Sequence, residues 1–364
     1  MNIFLDNAAT TKPLYDTPAY HSESGWYNPS AAYAPSEAVH ASITQTRKLL
    51  LRAVGLKNGG CVITSGGTEA NNMSIMSAFK PGAHYITSAI EHPSVYEVFK
   101  YMERQGAIVE YIKPRGFRIS ANDVARQVRR DTALVSIMHV NNETGALNDI
   151  GAICAAVKAK NSAALFHSDG VQALHKTSVC LTSMGPDTYS VSAHKIHGLK
   201  GTGALLYKKG TVLKPLLFGG GQEGGLRPGT ENTIGIQSLD AALRLGGMDI
   251  DYARKLHDEL VRGMSAVPDT ILHMPEEKVP HIICVSFEGV RAEVLVRLLG
   301  SRGIYIGSGA ACSRGKVSRV LLECGVPRSL AESAVRISLC RHNTQNEIEI
   351  FTDALKKAVK QLRL

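Results

Sequence analysis

Short apolar runs alternate with segments of helical periodicity from about residue 60 to residue 210. The runs are short and rich in Val, Ile and Leu, which is typical of buried strands. They are CVIT, HYITS, AIVEYI, ALVSIM, AALFHS, TYSVS and GALLY. The segments between them favour helices over Glu69 to Phe79, Val95 to Arg104, Asn122 to Arg129 and Ile150 to Lys160. This alternation predicts βα units and a mostly parallel sheet.

The pattern changes after the glycine-rich stretch LFGGGQEGGLRPGT at 217–230. Longer helices are predicted at Glu231 to Leu245 and Tyr252 to Ala266. They are followed by the runs HIICVSF, IYIG and VRISL, a helix near Ala292 to Leu299 and a closing helix from about Thr344. We therefore predict an α/β chain with two domains. A large domain over 13–255 carries the parallel sheet flanked by helices, and a smaller α+β domain spans 256–364 together with residues 1–12.

Composition and charge limit which classes of function and partner are compatible with this chain. The net charge is +9, but the basic residues are dispersed and aromatic residues make up only 6% of the chain, which argues against nucleic-acid binding. An acidic protein or an anionic cofactor is the better match to this charge. No secretory leader or membrane-spanning stretch is evident, so we expect a cytoplasmic chain without membrane contact. The 7 cysteines form no C-x-x-C pair, so reduced thiols are expected.

In open α/β sheets, ligands bind outside the carboxyl ends of the strands, so the residues after each apolar run are informative. Gly67 and Thr68 follow CVIT, where glycines, a hydroxyl and a helix start can hold a phosphate. His92 follows HYITSAIE, and Asn142 follows ALVSIMHV. Singly, His92 can simply cap a helix and Asn142 can shape a turn.

The next strand ends add charge. Asp169 and Gln172 follow AALFHS, and Lys195 follows TYSVSAH between His194 and His197. The two histidines do not predict zinc, because no Cys or carboxylate close in sequence completes a tetrahedral set. Alone, Lys195 would end a strand in water. Together, these groups match pyridoxal 5′-phosphate, which needs a lysine for an imine, a carboxylate for its ring nitrogen and an anchored phosphate.

A series of motifs running through nearly the whole chain carries a resemblance to a known family. The motifs are FLDNAATT, NPS, TSGGTEANN, EHPSV, SIMHVNNETG, HSDGVQALHK, SAHKIHGLKG, GGGQEGGLRPGTEN, GSGAACS and AVRISL. In this register the chain resembles the cysteine desulfurases, which are class V aminotransferase-like enzymes of pyridoxal phosphate fold type I. The resemblance implies conversion of L-cysteine to L-alanine, with the sulfur left on an enzyme cysteine as a persulfide.

The resemblance also implies roles for residues around the cofactor. Lys195 would form the imine, His92 would stack on the ring, Asp169 would pair with the ring nitrogen and Gln172 would contact the ring hydroxyl. The phosphate ligands would be Gly67, Thr68, Ser192 and His194. Thr230 would reach the cofactor phosphate of the other subunit, which implies a homodimer. Asn142, at the cofactor, and Arg336 would hold the substrate carboxylate.

One cysteine stands apart. Cys154, Cys180, Cys284, Cys324 and Cys340 lie in apolar or helical contexts, where a buried, inert thiol is expected, and Cys61 opens a strand. Cys312 instead lies among small residues in GSGAACSRG, near Arg314 and Lys316, which favour the thiolate. The resemblance makes Cys312 the expected nucleophile, acting with Lys195 and His92.

Alternatives remain at this stage. A selenocysteine lyase or another β-eliminating enzyme would use the same cofactor without a protein persulfide, and an idle scaffold would keep only the fold. The sulfur acceptor is not specified: an iron-sulfur scaffold and a tRNA thiolation relay both fit. The chain departs from the family at Tyr33, Gly224 and Pro228, which places the substrate mouth and dimer edge in question.

The segment after Cys312 is also about two residues shorter than in family members with a long loop. It carries Arg314, Lys316 and Arg319, whose charges could draw in an acidic acceptor. A solvated surface turn is the ordinary alternative.

Overall fold

The computed structural model describes residues 2–14, 26–309 and 317–363. The strands in these ranges are β1 (Ile3–Leu5), β2 (Gly59–Thr64), β3 (His84–Ser88), β4 (Ile108–Ile112), β5 (Thr132–Ser136), β6 (Leu165–Asp169), β7 (Thr188–Ser192), β8 (Gly203–Lys208), β9 (Thr270–Leu272), β10 (Ile282–Phe287), β11 (Ile304–Ser308) and β12 (Ala334–Ser338). The helices are α1 (Ala34–Ala53), α2 (Gly67–Ser77), α3 (Pro93–Arg104), α4 (Ala121–Gln127), α5 (Ile150–Lys160), α6 (Leu181–Met184), α7 (Thr233–Leu245), α8 (Ile250–Ser265), α9 (Ala292–Gly300), α10 (Arg319–Glu323), α11 (Arg328–Ser333) and α12 (Gln345–Leu362).

The larger sheet has the strand order β2-β8-β7-β6-β5-β3-β4 within the described residues. The pairs from β7 to β4 are parallel, whereas β8 runs antiparallel to both of its neighbours. All five residues of β3 and of β7 are buried, as expected for parallel strands covered on both faces. The prediction of an α/β fold with a mostly parallel sheet is confirmed.

Several apolar cores hold helices onto this sheet, and two of them lie beneath α1 and α7 and beneath α4 and α5. One joins Val39 and Ile43 of α1 and Leu239 of α7 to strand residues such as Val191. The other joins α4 and α5 to β3, β5 and β6, with Phe166 fully buried. Burying side chains of this size contributes about 1.5–3 kcal/mol each, so the strand ends that they position are held firmly.

A second sheet, with the order β1-β11-β12-β10-β9 in the described part of the chain, lies under α8, α9 and α12. The first strand, β1, pairs in parallel with β11, placing Ile3 beside Ile304. Leu5 is fully buried in the core of this sheet. The N-terminal segment therefore packs with the C-terminal third of the chain.

The boundary predicted at residues 255–256 falls inside α8. Leu256 and Leu260 of this helix pack into the core of the smaller sheet. The residue limits of the domains stay a prediction. No helix of the described chain combines the length and the apolar character needed to cross a membrane.

Candidate active site

A cleft of about 290 Å³ lies at the carboxyl ends of the parallel strands, between the two sheets. Residues far apart in sequence line it, and most of them lie at or just after the end of a strand or in the first turns of a helix. The lining residues that the sequence predicted are Gly67, Thr68, His92, Asn142, Asp169, Gln172, Ser192, His194, Lys195 and Arg336. The sequence did not single out Ala8, Ala9, Asn71, Ser94, Met138, Val140 and Val171, which also line it.

Lys195 ends a short 3-10 turn, Ala193–Lys195, directly after β7. Its Nζ donates hydrogen bonds to the carbonyl oxygens of Ala8 at 2.6 Å and Ala9 at 2.7 Å. The lysine therefore points into the cleft and not into bulk water. The N-terminal segment supplies the carbonyl oxygens that hold it there.

Asp169 is held at the end of β6 by donors on both carboxylate oxygens. The backbone N–H of Val171 donates to Oδ1 at 3.0 Å, and Asn71 Nδ2 donates to Oδ2 at 2.8 Å. Asn71 is itself fixed because its Oδ1 lies 3.0 Å from Nε2 of His167, a buried histidine. Burial lowers the pKa of His167 to about 3, so its ring is neutral and can donate to Asn71.

His92 both caps a helix and lines the cleft. Its Nδ1 accepts a hydrogen bond from the backbone N–H of Ser94 at 3.1 Å, so it caps α3, and its ring lines the cleft. Ser94 Oγ lies 2.8 Å from the same nitrogen and accepts from Asn71 Nδ2 at 2.9 Å. The acceptor role of Nδ1 places the ring proton on Nε2. Burial, above all, lowers the pKa of His92, with Lys195 and Arg319 acting in the same direction.

The start of α2 forms one end of the cleft. Its N-cap is Gly66, which provides no side-chain cap, so the first N–H groups of the helix are not capped by a side chain. A Cβ on Gly67 would lie 2.6 Å from Val171 Cγ2, so only glycine fits this approach. Ser192 Oγ is buried here and has no hydrogen-bond partner within the described residues. Uncapped donors and an orphan hydroxyl together suit an anion with several acceptor oxygens.

His194 borders the same region. Its Nδ1 lies 3.1 Å from Thr10 Oγ1. Burial, followed by the positive charges of Lys195 and Lys176, lowers the pKa of His194 to about 4. The ring is thus a neutral hydrogen-bonding group at physiological pH.

Arg336 lies on β12 at the opposite side of the cleft, with only 1% of its surface exposed. Its Nη1 donates to the carbonyl of Asn142 at 2.8 Å, and its Nη2 donates to Asp6 Oδ1 at 2.7 Å. Its Nε has no partner in the described residues. A Cβ on Gly307 would lie 2.6 Å from Asp6 Oδ1, so glycine is required beside this pair. Asp6 holds one arm of the guanidinium, a partner that the sequence analysis missed.

The glycine-rich segment at 217–230 lies beside the cleft. Glu223 accepts from Arg47 at 2.5 Å and from the backbone N–H of Ile63 at 3.0 Å, which ties this segment to β2. Gly224, one of the departures from the family, has φ of +67°, a conformation that favours glycine over arginine. Thr230 is exposed in the same segment and does not line the cleft of its own chain.

Cys312, the expected nucleophile, lies outside the described residues, as do Arg314 and Lys316. The remaining cysteines differ in exposure. Burial raises the pKa of Cys61 to about 12, of Cys154 to about 11 and of Cys324 to about 12. Cys180 is exposed, and hydrogen bonds from Ser183 lower its pKa. The expectation of a buried Cys180 is therefore wrong. Cys180 is the N-cap of the four-residue helix α6, which lies at the surface.

Comparison with known proteins gives a consistent result. The class-V aminotransferase family model matches residues 3–351. Cysteine desulfurase IscS of Methanosarcina thermophila is 34% identical over 376 residues, covering 99% of this chain and 93% of that protein. A solved NifS-like protein has a TM-score of 0.91 at 31% identity, covering 99% of this chain and all of that one (100%). The structure of SspA in complex with cysteine has a TM-score of 0.80 at 28% identity, covering 94% of this chain and 100% of that one.

Proposed function

Because this chain belongs to the class-V aminotransferase family and, within it, to the cysteine desulfurases, we propose that it converts L-cysteine to L-alanine and carries the sulfur as a persulfide on Cys312. The observation that supports this most strongly is the convergence of Lys195, Asp169, His92 and Arg336 on one cleft. The similar protein SspA was solved with cysteine bound, which supports cysteine as the substrate.

The resident cofactor is proposed to be pyridoxal 5′-phosphate. Its phosphate would be held by the start of α2, the orphan hydroxyl of Ser192 and His194, and Asp169 would face the ring nitrogen. When bound, the cofactor supplies an electron sink for the bonds at the substrate Cα. Both carboxylate oxygens of Asp169 accept hydrogen bonds, so the side chain is held in place for a ring nitrogen.

Lys195 would have two tasks. Its amine would hold the cofactor covalently, and when it is free Nζ would serve as the base for the Cα proton of the substrate. When the amine is free, the carbonyl oxygens of Ala8 and Ala9 accept hydrogen bonds from Nζ and keep it within the cleft. His92 carries its ring proton on Nε2, because Nδ1 accepts from the N–H of Ser94, so Nε2 can donate a hydrogen bond to a group in the cleft.

Arg336 is proposed to bind the substrate carboxylate. Burial of its charge is expensive unless it is paired, and Asp6 pairs only one arm. A substrate carboxylate that reached the part of the guanidinium lining the cleft would gain a charge-assisted hydrogen bond. The carbonyl of Asn142, which accepts from Nη1, orients the guanidinium toward that position.

The sulfur step uses Cys312. Its thiolate attacks the substrate sulfur, so an S–S bond forms while the substrate Cβ–S bond breaks. The electron pair stays with the substrate carbons, which take up protons to become alanine. In total, L-cysteine and a protein thiol give L-alanine and a protein persulfide, and no other oxidant or reductant is consumed.

Two further assignments rest on the resemblance. A homodimer is proposed, in which Thr230 would reach the partner's cofactor. Its support is the exposure of apolar side chains in and near the glycine-rich segment that contains Thr230. Val212 is 74% exposed and Phe218 is 89% exposed. A protein that accepts the persulfide sulfur, for an iron-sulfur cluster or a thiolation pathway, is the expected partner.

The test is direct. Purified protein should be yellow and should release alanine from cysteine. Lys195→Ala should lose both the visible absorbance and the activity while the far-UV circular dichroism stays unchanged, because one amine contributes little packing. An unchanged visible spectrum in that variant would refute the cofactor assignment. Faster turnover of selenocysteine with no protein persulfide would instead favour a lyase.

A further inference from the structure

A second lysine lies behind the cleft. Lys176 follows β6 by seven positions and is only 5% exposed. Its Nζ donates to Oε1 of Gln172 at 3.0 Å. Among the described residues, no carboxylate lies within ion-pair distance of this ammonium, and Gln172 is itself 4% exposed. A buried charge of this kind is costly, which calls for an explanation of why the site contains it.

The amide of Gln172 has two ends with opposite hydrogen-bonding character. An ammonium has donors only, so it can face the amide oxygen and not the NH2 group. At the other end, Nε2 donates to the carbonyl of Ala8 at 2.8 Å. If the amide were rotated by half a turn, the NH2 would meet an ammonium and the oxygen would meet a carbonyl oxygen. Lys176 and Ala8 therefore permit one orientation, in which the donor end faces the cleft.

The same carbonyl oxygen of Ala8 also accepts from Lys195 at 2.6 Å. The two lysines are thus connected through Gln172 and Ala8, and the contacts of Gln172 on this path are buried. A charged donor on the amide oxygen also polarises the amide, which strengthens the hydrogen bond that its NH2 donates. Both effects act on the group that would meet the cofactor.

We propose that Lys176 is a positioning residue of this active site: its Nζ, by donating to the amide oxygen, fixes Gln172 with the NH2 group toward the cleft, so that the glutamine can donate to a ring oxygen of the cofactor. Lys176 touches neither the cofactor nor the substrate and acts through Gln172 alone. The inference rests on the proposed function in one respect, which is that the ligand of the cleft is pyridoxal 5′-phosphate.

The experiment is a double-mutant cycle on the full-length protein. Pyridoxal 5′-phosphate is loaded, and its dissociation constant is measured by equilibrium dialysis for the wild type, Lys176→Met, Gln172→Met and the double variant. Loss of one oriented hydrogen bond should weaken binding about tenfold in each single variant. The double variant should also be about tenfold weaker and not a hundredfold weaker, because both changes remove the same interaction.

Two controls separate this role from a structural one. Lys158→Met removes another partly buried lysine, whose Nζ lies 2.6 Å from Asp187 Oδ2. Neither Lys158 nor Asp187 lines the cleft, so this variant should leave cofactor affinity unchanged. Gln172→Glu keeps a partner for Lys176 but presents no donor, so it should weaken binding as much as Lys176→Met. This variant also tests the idea should Lys176→Met fail to fold.

Additive losses in the double variant, or unchanged affinity in Lys176→Met, would overturn the proposal. So would full affinity in Gln172→Glu. A wild-type protein that binds no pyridoxal 5′-phosphate would refute the proposed function itself, so the two failures are distinguishable.

Discussion

The guanidinium carbon of Arg319 lies 3.8 Å from the centre of the Tyr96 ring. The same side chain donates to the carbonyl of Glu91 at 2.5 Å and to the carbonyl of Ala89. Arg319 begins α10, and these partners lie in the turn before His92 and in α3. The start of α10 is therefore fastened to the turn and helix that flank His92. The charge of Arg319 is directed inward, which leaves recruitment of an acidic acceptor to Arg314 and Lys316.

Removing this attachment should affect both stability and catalysis. In Arg319→Ala we expect the free energy of unfolding to fall by about 2 kcal/mol, because a desolvated cation–π contact and charged hydrogen bonds are lost. Alanine formation should fall several-fold, since His92 and the downstream end of the Cys312 segment lose a shared support. Chemical denaturation and an alanine assay measure the two effects. Arg328→Ala, an exposed arginine paired only with Glu332, is the control and should change stability by less than about 0.5 kcal/mol. Equal losses in both variants would contradict a special role for Arg319.

The assignment of Cys312 as the residue that carries the sulfur can be tested by comparing it with Cys180, which is exposed. Cys312→Ser should bind pyridoxal 5′-phosphate normally but form no persulfide, because a hydroxyl does not attack sulfur as a thiolate does. Cys180→Ser should behave like the wild type, although Cys180 is exposed and its pKa is lowered. Mass spectrometry of the protein after reaction with cysteine locates the sulfur. A persulfide on Cys180, Cys324 or Cys340 in the wild type would show that the nucleophile was assigned wrongly.

The basic residues near Cys312 give a prediction for sulfur delivery. In Arg314→Glu/Lys316→Glu, transfer to the natural acceptor should slow and lose its dependence on ionic strength, because electrostatic attraction raises association rates. Alanine formation with a small thiol reductant should be nearly unchanged. The same charge reversal at Arg126 and Arg129, which lie on and after α4, is the matched control. A parallel fall of both rates would place the charges in catalysis, and no change in either would end the recruitment hypothesis.

Lys176 should also be visible in the pH dependence of stability. Burial, followed by the charge of Lys195, lowers the pKa of Lys176 to about 7, whereas an unfolded lysine titrates near 10.4. Between these values the unfolded chain binds the extra proton, so this group makes stability rise as pH increases from 7 toward 10. Relative to the wild type, cofactor-free Lys176→Met should be most stabilised at pH 7 or below, and the difference should shrink at higher pH.

The measured quantity must be the difference in the free energy of unfolding between Lys176→Met and the wild type, because other groups also titrate in this pH range. Buried thiols such as Cys61 have a raised pKa and act in the opposite direction above pH 8, but they are the same in both proteins. Denaturation curves for wild type and Lys176→Met at pH 7, 8 and 9 provide the measurement. A difference that does not depend on pH would mean that Lys176 stays charged in the folded protein.

The large sheet could be predicted because its strands are short apolar runs whose ends carry polar groups, as with Asp169 at the end of β6 and Lys195 after β7. Helix α1 could not, because two of its buried positions are Ser36 and Thr46, which dilute the apolar periodicity. Strand β1 has only three residues, and its partner β11 lies at the far end of the chain. Local pattern carries no information about such a pairing.

The site divides in the same way. Groups that point into the cleft from strand ends were identifiable by residue type and position. Asn71 and Asp6 were not, although both lie within quoted motifs, because their roles consist of hydrogen bonds to the distant residues Asp169 and Arg336. Partners of this kind become visible only when the fold brings the segments together.

The pairing of β1 with β11 also sets an order of events during synthesis. Ala8 and Ala9, whose carbonyls hold Lys195, leave the ribosome first, but the strand that fixes their position emerges about 300 residues later. At roughly 5–20 residues per second, that delay is about 15–60 s. The large sheet is complete only once β8 (Gly203–Lys208) has emerged, so for the last part of this delay, about 5–20 s, the nascent chain holds that sheet with one wall of its cleft missing. Tight retention of the cofactor should therefore begin only after β11 has emerged, and a ribosome stalled before β11 should display a large domain that binds it weakly.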